Sequence, residues 1–182
     1  MKTLMDETST TLRLPKVALS AAAFAVLTIS LAAFASDLSA VSDLGGPEPA
    51  FQGNQTATIT QYGSGNTLNA NQLGRNGLVV SQKGVANEAL TSQAGTQNWM
   101  SLSQAGSGNR FTGNQQGANN RAVVTQMGSN DVSSVTQLGS ANAASVAQLG
   151  SNDSVSIVQA RSGAGIQVLQ NGNGAKAAVL MK

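Results

Sequence analysis

Gln137-Leu138-Gly139-Ser140-Ala141-Asn142-Ala143-Ala144-Ser145-Val146-Ala147-Gln148 is the stretch that decides how this chain folds. Its two glutamines stand eleven residues apart, a glycine follows the first at the second place and an asparagine at the fifth. The frame recurs in both directions, with glutamines at Gln61, Gln72, Gln82, Gln93, Gln104, Gln115, Gln126, Gln137, Gln148, Gln159 and Gln170, every step but one being eleven. Asparagines hold the fifth place at Asn66, Asn87, Asn98, Asn109, Asn120 and Asn142. A period kept this long defines a repeat architecture.

Between each asparagine and the next glutamine, apolar or small residues alternate with polar ones, as in Ala122-Val123-Val124-Thr125-Gln126. A period of two over five residues predicts a half-buried strand. Places five, seven, nine and eleven then share one face, and the ninth is the most apolar: Ala70, Val80, Thr91, Leu102, Gly113, Val124, Val135, Val146, Ile157, Val168 and Val179. A helix does not fit, because apolar places never fall at spacings of three and four and a glycine interrupts each unit. The one short step lies at Gly74-Arg75-Asn76, where a single residue stands in place of two. Loops absorb deletions and strands do not, so this predicts a turn.

A six-residue strand cannot bury its apolar face alone. Paired units make a 22-residue coil with two strands, and stacked coils make two parallel sheets with coils about 4.8 Å apart. The expected fold is all-β, a parallel two-sheet β-solenoid of about six coils over residues 56–182. Residues 22 apart then stack, so Gln61, Gln82, Gln104, Gln126, Gln148 and Gln170 form one column and Gln72, Gln93, Gln115, Gln137 and Gln159 another. A buried carboxamide without partners costs about 1–3 kcal/mol, so each glutamine is tolerated because an identical neighbour satisfies it. End coils lack one neighbour, and no polar cap is evident before the first coil. Open columns and backbone edges of this kind favour cross-β assembly.

Aromatic content of 3% and charged content of 10% are too low for a large mixed core. With no cysteine and no histidine, disulfides, thiol nucleophiles, imidazole bases and most transition-metal sites are excluded. A formal charge of +2 is too small and scattered for a nucleic-acid footprint. No catalytic, cofactor or metal residue is assigned. Lys2, Arg13 and Lys16 precede an uncharged run from Val17 to Ala35 ending in Ala33-Phe34-Ala35, which predicts a secretory signal over residues 1–35 cleaved after Ala35. Residues 36–55, with Pro47, Pro49, Gly45 and Gly46, read as a flexible leader.

The tandem Q-x-G-x-x-N-x-A-x-x-x-Q frame over roughly residues 56–172 resembles the curlin repeat of bacterial curli fibres. The resemblance implies a secreted amyloid subunit of adhesive surface fibres in biofilms. It further implies export through a dedicated outer-membrane channel with accessory factors, and a major fibre subunit as partner besides copies of itself. Ala160-Arg161 stands where x-Gly is expected, Ala164 and Ala175 replace the asparagine, and Met181 ends a glutamine column. With Arg161, Lys176 and Lys182 this degenerate basic end is more similar to the minor, nucleating subunit than to the major one.

Asp131 and Asp153 occupy the asparagine place 22 residues apart, each preceded by an asparagine, Asn130 or Asn152. A slight turn shift is expected to return the amide to the column and move the acid to solvent, leaving a local brake on stacking. Glu88 beneath Arg110 predicts an outward ion pair, and Trp99 beneath Arg121 a cation–π contact, each worth about 0.5–1 kcal/mol when exposed. Phe111 at a usually small place compensates Gly113 in the same strand. Among rivals, a monomeric ice- or polysaccharide-binding solenoid needs a regular outward threonine grid. Thr58, Thr60, Thr125 and Thr136 are too sporadic to make one. An enzymatic β-helix needs an acid-lined cleft that such short turns do not form.

Overall fold

The computed structural model of the chain describes residues 55–182 throughout and residues 27–33 as backbone. Among the described residues there is no helix; every regular element is a strand. β1 is Leu27–Ala33, β2 Gln55–Ser64, β3 Thr67–Val85, β4 Glu88–Ser107, β5 Arg110–Ala118 and β6 Arg121–Ser129. β7 is Val132–Ser140, β8 Ala143–Ser151, β9 Ser154–Gln159, β10 Gly165–Asn173 and β11 Lys176–Met181.

From β2 onward every pairing is parallel, and the chain winds as a β-solenoid of about six turns. β5, β7, β9 and β11 pair in one series and β4, β6, β8 and β10 in another, each residue facing the one 22 places on. The short step shows itself as a change of offset. Thr67 pairs with Glu88, 21 residues on, whereas after a bulge between Arg75 and Asn76 the offset becomes 22.

Alternation sets what is inside. In β6 the side chains of Ala122, Val124 and Gln126 are buried while those between them are partly exposed. The apolar core is a narrow stack with Ile59, Val80, Leu102, Val124, Val146 and Ile157 among its members. Ile166, Val168, Ala177 and Val179, in the strands paired on one side only, are partly buried. Phe111 is fully buried, and a Cβ on Gly113 would come within 2.7 Å of its ring and of Met100, so the missing side chain is the space the phenyl ring uses.

The turns share one conformation. The glycine two places after each glutamine but Gln159, where Arg161 stands instead, has φ between +94° and +147° from Gly63 to Gly172. A Cβ on Gly84 would collide with the carbonyl oxygen of Gly106 in the next coil, so stacked turns require glycine there. Two places later stands a left-handed residue: Ala86, Gln97, Asn119, Asn130, Ala141 and Asn152 have φ between +56° and +59°.

β1 lies antiparallel along β2, with Leu27 opposite Gln61 and Ala33 opposite Gln55. An uncapped first coil was the expectation from sequence; the structure instead lays a strand along half of it. The remainder of the expected signal over 1–35, and all of the 36–55 leader except Gln55, lie outside the described residues.

Candidate functional site

The feature in which residue chemistry departs most from an ordinary core is the set of carboxamides in its interior. Gln82, Gln93, Gln104, Gln115, Gln126, Gln137, Gln148 and Gln159 are at most 1% exposed. Each but Gln159, which faces Met181, places Nε2 against Oε1 of the glutamine in the next coil. One column runs Gln61, Gln82, Gln104, Gln126, Gln148, Gln170 and the other Gln72, Gln93, Gln115, Gln137, Gln159, through nine bonds of 2.6–3.0 Å. The second amide hydrogen goes to backbone, as in Gln104 to Glu88 O at 3.1 Å and Gln126 to Arg110 O at 3.1 Å. Both donors are therefore used, the condition under which a buried amide stabilises rather than costs.

The asparagines form two further columns at the corners. Asn66, Asn87 and Asn109 are linked from backbone N–H to Oδ1, Asn87 to Asn66 at 3.0 Å and Asn109 to Asn87 at 3.1 Å. Asn98, Asn120 and Asn142 do the same at the other corner, Asn120 to Asn98 and Asn142 to Asn120 both at 3.1 Å. Nδ2 meanwhile donates to two carbonyls of the turns, except in Asn142, where it reaches Leu138 O alone. For Asn120 these are Gln116 O at 3.2 Å and Gly139 O at 2.9 Å.

Asn76 belongs to this second corner and was missed, because counting five places from Gln72 across the short step lands on Gly77. Its Oδ1 accepts from both N and Nδ2 of Asn98, at 3.2 and 3.0 Å. Counting back six places from the next glutamine, Gln82, finds it, as the same count from Gln104 finds Asn98.

The expectation for the two aspartates is overturned. Asp131 and Asp153 are 0% and 1% exposed and keep the corner place. Asn130 and Asn152 instead fill the left-handed position before the corner, at φ +57° and +59°, where asparagine is among the side chains best tolerated. A turn shift that returned Asn130 or Asn152 to the corner would put Ser129 or Ser151 in that conformation. Asp131 donates its N–H to Asn109 Oδ1 at 3.1 Å and accepts from the N–H of Asp153 at 3.0 Å. Its Oδ2, and that of Asp153, are buried with no hydrogen-bond partner. In the asparagines this place holds Nδ2, aimed at carbonyl oxygens. Burial pushes the Asp131 carboxyl above its ordinary value; Asp153 opposes this through its backbone hydrogen bond and adds to it through its charge.

On the outer surface Glu88 and Arg110 meet at 3.6 Å, both well exposed. Trp99 pairs in register with Arg121, and its indole lies over Gly77 in the preceding coil, where a Cβ would come within 2.6 Å of the ring. Compared with protein-family models, with curated proteins and with solved structures, the chain matches none.

Proposed function

We propose that this chain is a structural subunit of secreted curli-type amyloid fibres, a member of the curlin family that serves as the minor, nucleating subunit rather than as a catalyst. In this reading each coil contributes two strands, and coils of separate molecules continue the stack. The observation that carries it is the unbroken run of carboxamide bonds, from Gln61 to Gln170 in one column and from Gln72 to Gln159 in the other. A column of identical donors and acceptors has no natural length; it is completed at its end by another copy of the same group. The stack also leaves backbone edges on β10 and β11 at its C-terminal end and on the first half of β3 at its N-terminal end, surfaces on which strands add.

The repeat frame, the signal-like segment and the degenerate last unit point the same way: secretion through the outer membrane of a Gram-negative bacterium, and a place on the cell-surface fibre beside a major subunit. No cofactor and no nucleic acid enter this reading. The experiment is dilution of the purified chain from denaturant with thioflavin-T fluorescence and sedimentation. Fibres that shorten the lag of a curlin-type major subunit support the reading, and a persistent soluble monomer contradicts it.

A further inference from the structure

The bonds between coils have a direction. Each glutamine sends Nε2 towards the following coil, Gln61 to Gln82 at 2.6 Å and Gln148 to Gln170 at 3.0 Å. At the corners the sense is reversed. The following coil donates its backbone N–H back to Oδ1 of the preceding one, as Asn98 does to Asn76, Ala164 to Asn142 at 3.0 Å and Ala175 to Asp153 at 2.8 Å. The C-terminal side of a complete coil therefore offers two Nε2 donors and two Oδ1 acceptors. Its N-terminal side offers two Oε1 acceptors and two corner N–H donors.

The first coil has all four groups on its N-terminal side: Oε1 of Gln61 and Gln72, and the corner N–H of Asn66 and Asn76. In the last coil Gln170 alone remains. Ala164 and Ala175 stand at the corners and have no Oδ1, and Met181, in register over Gln159, puts a thioether where the column needs a carboxamide. A coil docking on this C-terminal side would leave both corner N–H groups and one glutamine Oε1 without the partners that every interior coil supplies.

Resting on the self-association reading above, the geometry points to a one-ended subunit. Its N-terminal face docks the last coil of a second β-solenoid chain that keeps carboxamides at all four ladder positions, while its own C-terminal face offers a following coil only one of those four partners. Head to tail this chain fits itself less well than such a partner, because its last coil keeps only Gln170 of the four groups its first coil requires. The N-terminal face is also where β1 lies along β2. The sequence of β1 contains neither glutamine nor asparagine, so it pairs the backbone of β2 without completing the ladder. Docking of a coil and pairing of β1 exclude one another, so removal of residues 1–35 as a signal, which takes β1 away, frees this face.

The probe is the chain repaired at its last coil, Ala164→Asn/Ala175→Asn/Met181→Gln, added as monomer to short sonicated seeds of the unaltered full chain. Repaired monomer is expected to extend these seeds about tenfold faster or more than unaltered monomer does, since it restores three ladder positions at the new junction. Seeds carrying Gln61→Ala/Asn66→Ala/Gln72→Ala/Asn76→Ala should lose that extension, and seeds of the chain beginning at Ser36, which lacks β1, should extend faster than seeds that retain it. Circular dichroism checks that each variant folds, and Ala175→Asn alone is the milder replacement if the triple variant does not. Equal extension by repaired and unaltered monomer overturns the polarity, as does growth from seeds stripped of the first-coil ladder. Repaired monomer that grows on its own seeds but not on unaltered ones also overturns it, leaving self-association intact. A folded repaired chain that assembles on no seed removes the self-association reading and this inference with it.

Discussion

The two corners of the solenoid follow the same backbone path with different side chains. One stacks Asn76, Asn98, Asn120 and Asn142, and the other Asn66, Asn87, Asn109, Asp131 and Asp153. Both transmit the bond from backbone N–H to Oδ1, because asparagine and aspartate share that oxygen. They differ at the second atom. Asn120 places an N–H donor against two carbonyls, whereas Asp131 places there a buried oxygen with no partner. The difference shows that the ladder has two separable functions. Oδ1 sets register between coils, and Nδ2 ties the turn to its own coil and the next.

Carrying the acid into the amide corner should break it most. Asn120→Asp replaces a donor that reaches Asn98, Gln116 and Gly139 by a buried acceptor facing acceptors. A loss of about 3 kcal/mol is expected in denaturant unfolding. The reverse change sharpens the comparison. Asp131→Asn with Asp153→Asn supplies two missing donors, and a gain of about 2 kcal/mol at neutral pH is expected by the same measurement.

Acid should act in the same direction as that repair. The folded-state pKa of Asp131 is raised above 3.8, so between that value and the folded-state pKa the native protein holds the extra proton. The contribution of Asp131 to stability is therefore greatest below about pH 3.8 and is lost as pH rises through the folded-state pKa, with a slope of at most about 1.4 kcal/mol per pH unit for one proton. A protonated Oδ2 is a donor and restores what Nδ2 does elsewhere. Unfolding midpoints taken across pH should show this trend in the unaltered chain and lose it in Asp131→Asn/Asp153→Asn.

A smaller effect is expected one strand position beyond the acid corner. Ser133 is buried with an unpartnered hydroxyl at the place where Ala122 and Ala144 stand in other coils. Ser133→Ala should raise stability by about 1 kcal/mol in thermal or urea unfolding. The outward Glu88–Arg110 pair tests whether surface charge matters to register at all. A double-mutant cycle is expected to give about 0.5 kcal/mol or less.

Much of this organisation was legible because its physical cause is periodic. A side chain kept at the same place for many units reports a backbone position that repeats, and the 22-residue stacking followed from burying the one apolar face of each strand against that of a paired unit. What failed to show was local. Asn76 was hidden by measuring forward across a bulge that the chain makes between Arg75 and Asn76. The aspartates were misplaced because the left-handed residue before each corner leaves no trace in hydrophobic period; Ala86, Gln97 and Asn130 share a φ that composition does not announce. The pairing of β1 with β2 was illegible for a different reason. The apolar run that contains it reads as a targeting segment, and nothing in its pattern specifies an antiparallel partner.

The most direct test of the account is solid-state NMR on the assembled chain with glutamine side chains labelled with ¹³C and ¹⁵N. If the carboxamides stack as described, through-space peaks should link Nε2 of one glutamine to Cδ of the glutamine 22 residues on, as the Gln104–Gln126 bond of 2.9 Å requires, and both should be protected from exchange. Freely exchanging side-chain amides with no such peaks would contradict it.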